Sequence, residues 1–182
     1  MTTLSVYQQF APELPNKVLT HVEDIVSTLA EVGVRFAHWP VAIARTVAPR
    51  VEALQVTYQA QITQLMNETG WLVVDVLSPF EHPHKAELRA TLLQERRHAG
   101  EHVHWCVAGR GLFALHIADQ VFEVLCEKGD LIALPADVKY WLDIGEKADL
   151  VAIHLCATAE AEVAHITGDP VSERFTRLEE WM

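Results

Sequence analysis

Three histidines, two arginines and two glutamates fall within sixteen residues, QERRHAGEHVHWCVAG, from Gln94 to Gly109. If Ala99, Gly100 and Glu101 form a tight turn, His98 sits across from His102 and Arg96 across from His104. Strand alternation then points all four side chains to one face. Opposed residues on such a hairpin have Cβ atoms about 4.5 to 5.5 Å apart, so three imidazoles at its corners can converge on one ion. Neutral imidazole is a common ligand for late first-row metals, and an all-histidine set with open positions suits iron, nickel, copper or zinc. The competing reading is a solvated hairpin, polar because it is wet.

Other residues are candidates on weaker grounds. His154 and Cys156 repeat, in a later apolar segment, the His-x-Cys spacing of His104 and Cys106. Both thiols read first as small core residues. His82 and His84 have ligand-like spacing but lie in a proline-containing loop. His21, His38, His116 and His165 read as structural or surface residues. Glu101 falls in the expected turn, and Glu95 has the opposite parity from Arg96 and should point away. No GxSxG, Walker or GxGxxG pattern is present.

The elements that must position these residues change character along the chain. Residues Thr20 to Ala30 carry a capping-box pattern, Thr20 with Glu23, and helical spacing of Val22, Ile25, Val26 and Leu29, with Gly33 to close the end. Further helices are expected over Val51 to Glu68, ending at Gly70, and over Lys85 to Leu93. Then come short apolar segments punctuated by Gly, Asp and Pro: GLFALHIAD, QVFEVLCEKGD, LIALPAD and DLVAIHLC. Trp71 to Leu77 reads as an early strand. The order predicts an α+β chain, mainly β, whose second half is an antiparallel sandwich or barrel with helices packed outside it. One domain of 182 residues is expected, helical over about 1–70, a β-barrel over about 71–160, with a C-terminal extension.

Composition narrows the function classes. A formal net charge of −11, with no basic stripe, argues against nucleic acid. No apolar run approaches the roughly 20 residues needed to span a bilayer. The N-terminus lacks a signal-like pattern, so a cytoplasmic protein is expected. Three cysteines without a CxxC pair predict reduced thiols.

The segment WLVVDVLSPFEHPHKAELRATLLQERRHAGEHVHWCVAGRGLFALHI, followed by VFEVLCEKGDLIALPA, resembles the acireductone dioxygenases, cupins of methionine salvage. The likeness extends to GVRFAHW near residue 33 and ITGDP near residue 166, and implies a cupin-type jelly roll. The general cupin motifs, HxHx3Ex6G and Gx5P followed by a histidine five residues on, fit the frame at Gly109, Gly129 and Pro135. The ligands the resemblance implies are largely replaced. Arg96 stands for the first histidine, His98 retains the second, His102 replaces the glutamate and Tyr140 replaces the last histidine. Two family active-site arginines align with His104 and His154, as though charge and ligand had changed sides of the hairpin.

The expected centre is therefore His98, His102 and His104, with His154 as a fourth candidate ligand. Arg96, Tyr140 and His154 serve catalysis, Tyr140 as a substrate group or phenolate ligand. Iron(II) is the expected ion, with nickel, copper and zinc as alternatives. The resemblance implies a metal-dependent oxygenase consuming dioxygen and a small enediol-like, oxygen-rich or sulfur-containing molecule, other than acireductone itself, in a monomer or weak homo-oligomer. Two other classes compete: a non-oxidative cupin enzyme (isomerase, lyase or hydrolase) using the histidines for acid-base chemistry, and a binding protein without turnover.

Overall fold

The computed structural model describes residues 1–41, 51–79 and 82–181. Twelve strands and five helices follow one another in it: β1 (Thr3–Gln8), β2 (Lys17–Leu19), α1 (Val22–Ala30), β3 (Arg35–His38), α2 (Val51–Thr57), α3 (Gln59–Thr69), β4 (Val73–Leu77), α4 (Lys85–Leu92), β5 (Arg96–Arg97) and β6 (His102–Ala108). The chain continues with β7 (Arg110–Ile117), β8 (Gln120–Glu127), β9 (Asp130–Leu134), β10 (Lys139–Asp143), β11 (Val151–Cys156), α5 (Ala159–Glu162) and β12 (His165–Ile166). Two 3-10 turns, Pro170–Arg174 and Leu178–Trp181, end it.

The strands form two antiparallel sheets. One runs β12-β5-β10-β7-β8-β1-β2, the other β3-β9-β6-β11-β4. The expected barrel is thus two separate ladders, which among the described residues share no strand. They meet through an apolar interior to which Leu4, Phe113, Leu115, Phe122 and Val124 contribute from one sheet, and Cys106, Ile132, Leu134 and Ala152 from the other.

The expected helical N-terminal part is interrupted by strands: β1 pairs with β8 over six residues, and β3 forms an edge of the five-stranded sheet. Helix α1 starts after His21 with no side-chain cap, so Thr20 and Glu23 miss the capping box by one position. Gly33 does close it. At φ +79 it allows Gly33 N to reach Ala30 O and Val34 N to reach Leu29 O, a Schellman pattern. The single helix expected over Val51 to Glu68 is two, broken at Tyr58, whose ring packs edge-on against Trp105 at 5.2 Å.

The alternation of β6 separates site from scaffold. Val103, Trp105 and Val107 pack with Leu54 of α2, Ile62 and Leu65 of α3 and Tyr58 between them, while Cys106 joins the interior cluster and His102 and His104 share its parity. Among the described residues no helix is long and apolar enough to cross a membrane. All three cysteines are free and buried, as the sequence predicts.

Asp143 ties the C-terminal segment to the sheet. Its carboxylate accepts from Arg89 Nε and Nη2 at 2.7 and 2.9 Å, from Gly145 N at 2.9 Å and from Leu178 N at 3.0 Å. Burial pushes the Asp143 pKa up, but these donors outweigh it and hold the carboxyl below its usual range. With the folded pKa below the unfolded one, the stabilisation is present above the unfolded value and is lost as pH falls through the folded value. Asp143→Asn should therefore cost about 3 kcal/mol at pH 7, and progressively less than this below pH 4, in denaturant melts of both proteins across pH.

Gly109, between β6 and β7, has φ +65, and a Cβ there would lie 2.1 Å from the Asp149 carbonyl oxygen. That neighbour is backbone and cannot swing away. Gly109→Ala should lower stability by about 2 kcal/mol or more in the same melts.

Candidate metal centre

The expected hairpin is not formed. Arg96 belongs to β5 in the seven-stranded sheet, where it pairs with Tyr140, whereas His102 and His104 belong to β6 in the five-stranded sheet. Residues 98–101 carry the chain from one sheet to the other, so Arg96 and His104 are not cross-strand partners. Strand β6 instead finds its neighbour in β11, and the register sets His104 opposite His154 and His102 opposite Cys156.

This register assembles a different trio from the expected one. His102, His104 and His154 each offer a ring nitrogen, and these three atoms lie within 4.8 Å of one another. His104 and His154 stack with ring centroids 4.4 Å apart, and His102 Nδ1 lies 3.2 Å from His154 Nε2. Two nitrogens on one ion at roughly 2.0–2.1 Å stand about 3 Å apart, which matches that spacing.

The same trio contains unsatisfied polar atoms. His102 Nε2 and both nitrogens of His104 are buried without a hydrogen-bond partner. Leaving such groups orphaned costs roughly 1–3 kcal/mol each, so a buried cluster of them needs a partner from outside the chain. Burial, then the neighbouring imidazoles, pushes His102 down to about 2 and His104 well below the ordinary histidine value, and burial followed by His98 lowers His154 to about 4. At neutral pH all three are uncharged with lone pairs available, which is the state a metal requires.

His98 is placed otherwise than the sequence suggests. Its Nδ1 lies 2.8 Å from the Ala161 carbonyl oxygen, which can only accept, so Nδ1 carries the proton. Nε2 therefore accepts from the Tyr140 hydroxyl at 2.9 Å. Both nitrogens are engaged, and His98 lies tilted beside the trio, its ring centroid 4.1 Å from that of His102, without offering a free lone pair. Burial also pushes the Tyr140 phenol up, which keeps it protonated and disfavours a phenolate ligand.

Arg96, His98, His104, Tyr140 and His154 line one cavity of about 280 Å³, closed in part by Leu77, Leu92 and Leu142, with Asp75 and Glu162 also on its wall. Burial lowers the Arg96 pKa from its usual value. Cys156 Sγ lies 3.5 Å from His154 Nε2, and burial, then Glu162 and Asp75, pushes its thiol up to about 11. Cys106 is core.

The remaining histidines mostly follow the sequence reading. His82 and His84 are exposed before α4, His21 and His165 are exposed, and His38 is half-exposed beside Asp130. Glu101 is exposed, and Glu95 does turn away from the trio. Sequence reasoning missed what Glu95 turns toward. Its carboxylate is 2.6 Å from His116 Nδ1 and accepts from Thr167, while His116 Nε2 faces Gln9 at 2.9 Å. Asp169 brings a third carboxylate or imidazole ligand atom to this group. Glu95 and His116 are already satisfied by each other, Thr167 and Gln9, and Asp169 accepts from Val171 N, whereas three nitrogens of the trio have no partner.

The model of the ARD/ARD′ family matches residues 4–164. An acireductone dioxygenase of Pseudomonas fluorescens (strain Pf0-1) is 52% identical over 181 residues, 99% of this chain and 100% of its own length. That of Pseudomonas syringae pv. syringae (strain B728a) is 51% identical over the same shares. Among solved structures, an acireductone dioxygenase from Bacillus anthracis with a cadmium ion in its active centre superposes with a TM-score of 0.74, covering 91% of this chain and 98% of that one at 22% identity. That likeness shows a shared, mainly β fold of the cupin kind. The family match takes in strands of both sheets and the whole histidine trio, and the chain belongs to the ARD/ARD′ family.

Proposed function

We propose that this chain is a metal-dependent dioxygenase of small enediol-like molecules, working as one cupin-type domain. The observation that carries the metal centre is the convergence of uncharged imidazole nitrogens from His102, His104 and His154, among which His102 Nε2 and both nitrogens of His104 have no partner. These three would hold a divalent ion, iron(II) being the first to try, with nickel, copper and zinc as alternatives. Such an ion supplies positive charge and redox capacity where the substrate's oxygens lie.

The chain's own residues supply the rest. Arg96 offers a fixed cation beside the histidines, and Tyr140, held through its donated hydrogen bond to His98, keeps a phenol oxygen available as an acceptor in the cavity. His98, anchored on Ala161 O, is the positioning residue of that pair. Leu77, Leu92 and Leu142 limit water. The curated relatives are named for acireductone, and the comparisons lend no support to excluding it as the substrate. It therefore stands first in the assay, followed by related oxygen-rich or sulfur-containing enediols.

Metal content tests the reading directly. After reconstitution with iron(II), nickel, copper or zinc, elemental analysis of wild type should show about one equivalent of at least one metal. His102→Ala, His104→Ala and His154→Ala should each lose most of it, while His98→Ala keeps it. Equal content across all five proteins would defeat the assignment, and loss in His98→Ala with retention in His154→Ala would restore the hairpin set. Oxygen uptake by the loaded protein with acireductone then separates an oxygenase from a non-oxidative enzyme or a binder.

A further inference from the structure

The last turns of the chain cover the outer face of the seven-stranded sheet. Tyr7, Ala114, Val121 and Trp141 pack there with Val171 and Phe175, and Leu112 and Leu125 pack with Leu178. One carboxyl stands between these apolar groups. Glu123 shares a face of β8 with Val121 and Leu125, opposite Ser5 of β1 and Ala114 of β7, and is 0% exposed.

Its Oε2 accepts from Thr176 Oγ1 at 3.1 Å, while its Oε1 has no hydrogen-bond partner. Around it, β1 brings the Tyr7 phenol and the Ser5 hydroxyl, and the C-terminal segment brings Thr176, Arg177 and Glu180. Strand β7 brings Ala114, with His116 one step along the same face and already engaged by Glu95 and Gln9. Arg177 directs its guanidinium to Ser172 O at 3.0 Å. Burial above all pushes the Glu123 carboxyl up to about 7, with Glu180 adding to the rise and Thr176, Tyr7 and Arg177 opposing it.

We infer that the C-terminal segment, residues 170–181, is a pH-sensitive latch that seats over a neutral Glu123 and loosens when that carboxyl ionises. Covered, an ionised Glu123 keeps its charge in an apolar pocket with one oxygen unpaired; uncovered, it meets water. The carboxyl therefore holds its proton more tightly when the segment is seated. Seating is fully favoured below the ordinary carboxyl range, weakens as pH rises from there, and is weakest above about 7. The other anchors keep their charge over this interval, because donors outweigh burial and hold both Asp143 and Glu179 below the usual carboxyl range. The latch reaches the cavity through α4: Asp143 and Glu179 share Arg89, and the same helix supplies Leu92 to the cavity wall and the Thr91 carbonyl oxygen that meets Arg96 Nη2. This holds whether or not the histidine trio carries a metal.

Hydrogen exchange read by mass spectrometry on the full chain tests the latch, with rates expressed as protection factors so that the intrinsic pH dependence of exchange is removed. In wild type, protection over residues 170–181 should fall at least about tenfold between about pH 5.5 and about pH 7.5, with α4 following and the β7–β8 hairpin unchanged. In Glu123→Gln, which is neutral at every pH and nearly the same shape, protection of the segment should stay at the wild-type low-pH level throughout. If that variant does not fold, carbon NMR of the wild-type Glu123 carboxyl serves in its place, and its signal should titrate near neutral pH.

Protection of the segment that does not change with pH in wild type would overturn the inference. So would an equal fall in Glu123→Gln, which would place the sensor at another group such as His116, and so would a parallel fall in the β7–β8 hairpin, which would mark a loss of global stability. A Glu123 carboxyl already ionised at about pH 5.5 would overturn it as well.

Discussion

The side-chain alternation of β6 is the constraint from which the site follows. Seven consecutive residues must satisfy two environments at once, because a strand sends successive side chains to opposite faces. Val103, Trp105 and Val107 go to the helices, where Tyr58 and Trp39 meet the Trp105 ring. His102, His104 and Cys106 go inward. A slip of one residue would place an indole among the imidazoles and the imidazoles against Leu54 and Leu65, so packing on the outer face pins the register of the polar groups within.

The interior tolerates these polar groups because they are concentrated. Asp143 is answered locally by Arg89 and two backbone N–H groups, and Glu95 by His116 and Thr167, while Glu123 Oε1, Trp105 Nε1 and Ser78 Oγ are isolated orphans elsewhere. Around the cavity three imidazole nitrogens have no partner from the chain, and the Arg96 guanidinium is met by the main-chain oxygens of Gln94 and Thr91. Unanswered groups gathered in one place mark where external partners enter. His98 and Tyr140 border that place but close on each other, which makes them supports for the cavity wall.

Much of the scaffold was legible in order. The helix closed by Gly33, the helix before Gly70, α4 after Pro83, and strands β4, β7, β8, β9 and β11 all follow from periodicity and punctuation. The strands that escaped were those with mixed burial or few residues. In β1 the residues TLSVYQ are buried without clean alternation, and β2, β3, β5, β10 and β12 are only two to five residues long. Their conformation is imposed by ladders to distant strands, which local pattern does not carry.

The sequence by itself determined that histidines cluster near an apolar strand, that His102 and His104 share one face of it, that His154 and Cys156 share a face of theirs, and that Glu95 turns away, while the family resemblance implied that Arg96 and Tyr140 stand at ligand positions. It did not determine which of these meet. A tight turn at Ala99 to Glu101 and a crossing between sheets are both compatible with the same residues, and the choice between them rests on pairing energies distant in sequence, β5 with β10 and β6 with β9 and β11. Only the tertiary structure decided that His154 completes the trio and that His98, its lone pair taken by the Tyr140 hydroxyl, does not.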